Sequence, residues 1–160
     1  MTPVSSVQEP KAPPAKGVRP AGSTEGSASA PVAKPSVLLL EDDVPFSRFV
    51  SGVLSENGFE VVSVRNGVDG VHKVLAQDFD AILCDILLPT LPGDMFYRAV
   101  ERMRPHLCNR FVFMTGNYDQ PKVKEFMATG QGMMLLKPFH IDDLREMLAF
   151  VELRNLHLAN

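Results

Sequence analysis

Hydrophobic and polar positions alternate along the chain in two different rhythms. Short apolar runs occur at Val37-Leu38-Leu39-Leu40, Ala81-Ile82-Leu83-Cys84, Phe111-Val112-Phe113-Met114 and Met133-Met134-Leu135-Leu136, with a weaker Val-rich run near 60–64. Continuous apolar runs of this length, rich in branched and aromatic residues, suit strands buried on both faces. Between them the apolar positions recur at helical spacing. The pattern predicts strands near 36–41, 60–64, 80–84, 110–114 and 132–136. Helix one is predicted over about 45–57, where Phe46, Val50 and Leu54 share a face, Pro45 suits a first turn and Gly58 can stop the helix. Helix two fits 67–77, helix three 94–104 before Pro105, helix four 120–129 before Gly130, and helix five the stretch after Phe139. Five strands alternating with five helices over short connections read as consecutive βαβ units.

Composition changes this picture only at the N-terminus. Residues 1–35 hold seven of the thirteen prolines, much Ala, Ser and Gly, and no aromatic residue. Such a segment cannot bury enough apolar surface to offset an ordering cost of roughly 1–2 kcal/mol per residue, so a disordered extension is expected there. Its charge is a net +2, which leaves −5 for the remainder of a 160-residue chain whose total is −3. An acidic folded part disfavours nucleic acid as a partner. No apolar stretch reaches the roughly 20 residues that span a bilayer, and no signal-peptide core is seen, so a cytoplasmic protein without membrane insertion is expected. Cys84 and Cys108 stand in no CxxC or Cys/His metal spacing and read as free thiols, and His72, His106, His140 and His157 share no spacing that assigns them chemistry.

The candidate chemistry lies where the apolar runs end. Glu41-Asp42-Asp43 follows the first, Asp85 the third, Thr115 the fourth and Lys137 the fifth. In an open parallel α/β sheet ligands bind outside the carboxyl ends of the strands, so these side chains are expected to converge on one pocket, with Asp85 exposed at its strand's exit. Asp43 reads as the N-cap of helix one. A carboxylate can act as a nucleophile toward phosphorus. Three crowded carboxylates repel one another unless they share a hard cation such as Mg²⁺, which takes oxygen ligands.

The ordered set Glu41-Asp42, Asp85, Pro89, Gly93, Thr115 and Lys137-Pro138 resembles the signature of response-regulator receiver domains, the phosphoacceptor modules of two-component signalling. The resemblance implies a flavodoxin-like (βα)5 fold over residues 36–157, a doubly wound five-stranded parallel sheet in the order 2-1-3-4-5. It implies Asp85 as phosphoacceptor, with Mg²⁺ held by Asp42 and Asp85 directly, by Glu41 largely through water, and by the backbone carbonyl of Leu87. Lys137, aimed inward by a cis bond to the following Pro138, would pair with Asp85 and offset phosphoryl charge, and the Thr115 hydroxyl would hydrogen-bond the phosphoryl group. The donor would be a phosphohistidine on a histidine kinase or phosphotransfer protein.

Two departures from the family pattern bear on behaviour. Met134 stands where the family usually has a switching aromatic, and Leu87, two residues after Asp85, cannot position an attacking water, so a long-lived phosphoryl group is expected. Helix five carries Ile141, Leu144, Leu148 and Val151 as its core stripe, with Phe150 and Leu153 off it. Those two suggest output through a helix 4, strand 5 and helix 5 face, toward a downstream protein or a second copy in a homodimer. The expectation is a single-domain response regulator that assists its own phosphotransfer without being a dedicated enzyme. The alternative is a receiver-fold adaptor that works without phosphorylation.

Overall fold

A computed structural model describes residues 33–158. Of the extension expected to be disordered, residues 1–32 lie outside the described residues. The elements run β1 (Ser36–Leu40), α1 (Val44–Glu56), β2 (Glu60–Val64), α2 (Gly67–Ala76), β3 (Ala81–Asp85), α3 (Gly93–Met103), a 3₁₀ segment (Pro105–Arg110), β4 (Phe111–Thr115), α4 (Pro121–Ala128), β5 (Met133–Leu136) and α5 (Ile141–Leu158). Each expected strand and helix is present within about a residue or two of its predicted limits. The 3₁₀ segment was not anticipated, because Pro105 was read only as a helix stop.

All four strand pairings are parallel, and the sheet order is β2-β1-β3-β4-β5. The three inner strands are buried nearly throughout, as the continuous apolar runs require, while the edge strands β2 and β5 are only partly covered. Alternate side chains separate the two layers. Val37, Leu39, Leu83, Val112 and Met114 pack with Val50 and Leu54 of α1 and Leu144, Leu148 and Val151 of α5. Leu38, Leu40, Ile82, Phe111 and Phe113 pack on the other side with Val74 of α2, Phe96, Tyr97 and Val100 of α3, and Val123 and Phe126 of α4. The aromatic group Tyr97, Phe111, Phe113 and Phe126 forms a chain of edge and stacked contacts with centroids 4.7–6.2 Å apart.

Local signals set the helix limits. The Asp43 side chain accepts the Phe46 N–H at 2.9 Å as the N-cap of α1, and Gly58 takes a φ of +89° just past its end. Gly93 opens α3 for a different reason. A Cβ there would lie 2.3 Å from the Asp85 carbonyl oxygen and 2.9 Å from Ile86 Cα, so only glycine lets the loop close over β3.

Candidate phosphoacceptor site

β1, β3, β4 and β5 all end on the same edge of the sheet, which brings together side chains distant in sequence. One carboxylate oxygen each from Glu41, Asp42 and Asp85 falls within a cluster 4.8 Å across. Glu41 and Asp85 are buried, at 1% and 7% exposure, while Asp42 faces solvent. The expectation that Asp85 is exposed is therefore corrected. It is the last residue of β3, and the 86–93 loop folds back over it, with Gly93 N–H donating to the Ile86 carbonyl at 2.9 Å.

Lys137 reaches into this cluster from the end of β5. Its Nζ donates to Glu41 Oε2 and to Asp85 Oδ2, each at 2.5 Å. Desolvation disfavours the ammonium, but the hydrogen bonds to Asp85 and Glu41 outweigh it and hold the Lys137 pKa above its ordinary value. Burial acts in the opposite sense on Glu41 and raises its pKa despite the bonds from Lys137 and from the Asp43 N–H. Pairing with Asp85 was expected; the equally close bond to Glu41 was not. Nor was the part played by Phe46, read from sequence as core stripe. Its ring lies 4.6 Å from Lys137 Nζ and packs edge-on against Phe139, so it adds a cation–π contact to the ammonium.

The remaining predicted residues flank this centre. Thr115 ends β4, is 1% exposed, and its Oγ1 accepts the Asn117 N–H at 3.2 Å. The Lys137 N–H donates to the Thr115 carbonyl at 2.8 Å, which fixes the two side chains on neighbouring strand ends, and the Lys137-Pro138 bond is cis. The Leu87 backbone lies beside Asp85, its N–H donating to Asp85 Oδ1 at 2.7 Å. In the same loop Thr90 has a φ of +67° where the Leu91 N–H bonds back to the Pro89 carbonyl at 2.7 Å, a tight and strained γ-turn.

Met134, in the position expected to matter for switching, is half-buried against the aromatic side of the core. Cys84 is fully buried, and burial pushes its thiol pKa well up; Cys108 is partly buried, and both thiols are free as expected. His106 Nε2 does lie within hydrogen-bond distance of Asp78 Oδ2, at 3.0 Å, but at the opposite end of the sheet from the acidic cluster.

This geometry can be set beside known proteins. Residues 37–149 match the response regulator receiver domain family. A response regulator receiver protein of Brucella abortus is 30% identical over 108 residues, covering 68% of this chain and 88% of that protein. The transcription factor SKN7 of Candida albicans is 30% identical over 124 residues, which are 76% of this chain and 21% of that much longer protein. Among solved structures, the receiver domain of a Pseudomonas aeruginosa sensor histidine kinase, determined with a magnesium ion coordinated in its active site cleft, aligns with a TM-score of 0.69 at 27% identity, over 75% of this chain and 98% of that one. A chemotaxis response regulator of Vibrio cholerae aligns with a TM-score of 0.65 at 28% identity, over 74% and 99% of the two chains. With the sheet order, the carboxylate cluster and the lysine that bridges it, the sequence match establishes that this chain belongs to the response regulator receiver domain family.

Proposed function

We propose that Asp85 accepts a phosphoryl group from a phosphohistidine of a histidine kinase or phosphotransfer protein, and that the phosphorylated domain regulates a protein partner by direct binding. The observation that carries this reading is the bridge of Lys137 to both Asp85 and Glu41 inside a three-carboxylate cluster. A partly buried ammonium held against the nucleophile can offset the charge that gathers on the transferred group, and phosphoryl transfer is catalysed mostly by such positioning and electrostatics. Thr115 offers a buried hydroxyl on the adjacent strand end, and the Phe46 ring face lies against the ammonium.

The donor set fits Mg²⁺: three carboxylates, no nitrogen or sulfur donor, and one member open to water. Glu41, Asp42, Asp85 and the Leu87 backbone would hold the ion, which when bound offsets carboxylate repulsion and phosphoryl charge. The domain assists its own phosphotransfer rather than turning over a separate substrate. Leu87 carries no group to orient a hydrolytic water, which supports a long-lived phosphoryl group.

Output is assigned to the α4, β5 and α5 face. Leu136, Phe150 and Leu153 are about half exposed there, and Met133, Leu135, Met147 and Phe150 line a groove of about 350 Å³ rimmed by Asp143 and Glu146. No helix among the described residues is long and apolar enough to cross a membrane. A receiver-fold adaptor independent of phosphorylation draws its support from Met134, a flexible side chain where a discrete aromatic rotamer would otherwise report the state of the site.

Amide NMR of the wild type and Asp85→Asn with Mg²⁺ and beryllofluoride, a phosphoryl mimic, separates the two. Saturable shifts at Asp85, Thr115 and Lys137 that are absent from the variant, spreading to α4 and α5, are expected. A spectrum that does not respond leaves the adaptor reading.

A further inference from the structure

We propose that the cavity between α1 and β2 is a binding site for a small phosphate-bearing anion, distinct from the phosphoacceptor position at Asp85 and adjoining the acidic centre through Glu41. The cavity has a volume of about 310 Å³ and is lined by Glu41, Val44, Ser47, Arg48, Ser51, Ser63 and Arg65. That volume is at the lower end of the range for small-molecule sites, roughly 300–1,000 Å³.

The lining is rich in donors and poor in acceptors. Ser47, on α1 and buried, shares a hydrogen bond of 2.7 Å with Ser63 of β2. One of these two hydroxyls donates to the other, so the acceptor of the pair keeps its own proton for a third group. Ser51 stands one turn beyond Ser47 on the same face of α1 and adds a second hydroxyl. Arg48, on α1, and Arg65, just past the end of β2, both line the cavity, and neither guanidinium is engaged by a carboxylate or carbonyl among the described residues; Arg98 and Arg102 are likewise unengaged but lie away from this cavity. The carboxylate at the cavity wall, Glu41, has both oxygens already occupied, one by the Asp43 N–H and one by Lys137 Nζ.

A ligand that complements this lining carries several acceptor oxygens, no donors and about two negative charges. A phosphate monoester dianion meets all three conditions, inorganic phosphate differs from it by one retained P–OH, and planar guanidinium forks bind the oxygens of either in pairs. A carboxylate supplies only two oxygens and one charge for two forks and two hydroxyls. The rest of the described domain is acidic, so the placement of two unpaired arginines around three serines is a local feature rather than a property of the surface as a whole. The site does not depend on Asp85 being a phosphoacceptor.

The test is an NMR titration of the full chain, without Mg²⁺, with inorganic phosphate, adenosine monophosphate and acetate in separate arms. Arginine Nε–H and serine amide signals report the cavity, and Thr115 and Lys137 amides report the acidic centre. Saturable shifts at Arg48, Arg65, Ser47 and Ser63 with phosphate are expected, weakened about tenfold or more by Arg48→Gln or Arg65→Gln, since a hydrogen bond to a charged group is of that order. Tighter binding of the nucleotide than of phosphate places the organic part in the cavity; equal binding restricts the site to the phosphate group. The proposal is overturned if acetate shifts the same signals equally, if phosphate shifts only Thr115 and Lys137, or if both substitutions leave its affinity unchanged. Both arginines are exposed, and Ser51→Ala offers an independent variant with a smaller expected loss.

Discussion

Gly93 shows how one residue without a side chain positions a catalytic candidate. Its backbone lies against the carbonyl of Asp85, and a methyl group placed there would meet backbone atoms that cannot move without displacing the end of β3. Gly93→Ala should lower stability by about 2 kcal/mol or more, read as a shifted denaturant midpoint at unchanged slope. Tyr97 gives a second test at this scale. Burial among Phe111, Phe113 and Phe126 pushes its phenol from 10.0 up to about 12. Because the folded pKa is the higher one, its contribution to stability is complete below pH 10 and is lost as the pH rises toward 12. Ultraviolet titration of the native protein should show one tyrosine ionising late, and the unfolding midpoint should fall across the same window. The convergence of Asp85, Thr115 and Lys137 on one end of the sheet was legible in the chain, since each ends or directly follows an apolar run. Their burial was not, because exposure at a strand's end depends on which loop folds over it.

At the scale of elements, helix and strand limits follow from signals confined to a few neighbours. Asp43 is a clear case: it accepts the Phe46 N–H, and the α1 that it caps carries Phe46 to Lys137 and Arg48 to the serine cavity. Asp43→Ala should cost about 1 kcal/mol of stability, measurable by urea unfolding. It should also loosen the first turn of α1, detected as faster amide exchange at Phe46 and Ser47. The strands were placed correctly because their apolar runs are continuous, and a run buried on both faces has few other uses. The 3₁₀ segment escaped notice because it has no period of its own. Its contacts are tertiary: Arg110 donates to the Phe79 carbonyl, and Asn109 accepts from Arg154 on α5.

For the whole molecule the balance of charge at the acidic edge decides how stability responds to metal. The one ammonium bonds Glu41 and Asp85, which leaves the exposed charge of Asp42 beside them without that bond, so Asp42→Asn should raise the unfolding midpoint of the metal-free protein modestly while removing its response to Mg²⁺. In the wild type, Mg²⁺ at a hundredfold excess over its dissociation constant should stabilise the fold by about 2.7 kcal/mol. A thermal melt of both proteins with and without the ion checks the crossing of the two orders. Sequence by itself determined the alternation of five strands and five helices, the edge of the sheet on which chemistry gathers, and the cap of α1, because each rests on local periodicity or on a side chain bonding within its own turn. Tertiary structure alone decided that Lys137 bonds Glu41 across 96 positions, that the Phe46 ring lies against its ammonium, and that Arg48 and Arg65 face the same cavity. Those contacts join elements through the packing of α1 and β5 on a common sheet, and no spacing along the chain encodes how closely two such elements approach.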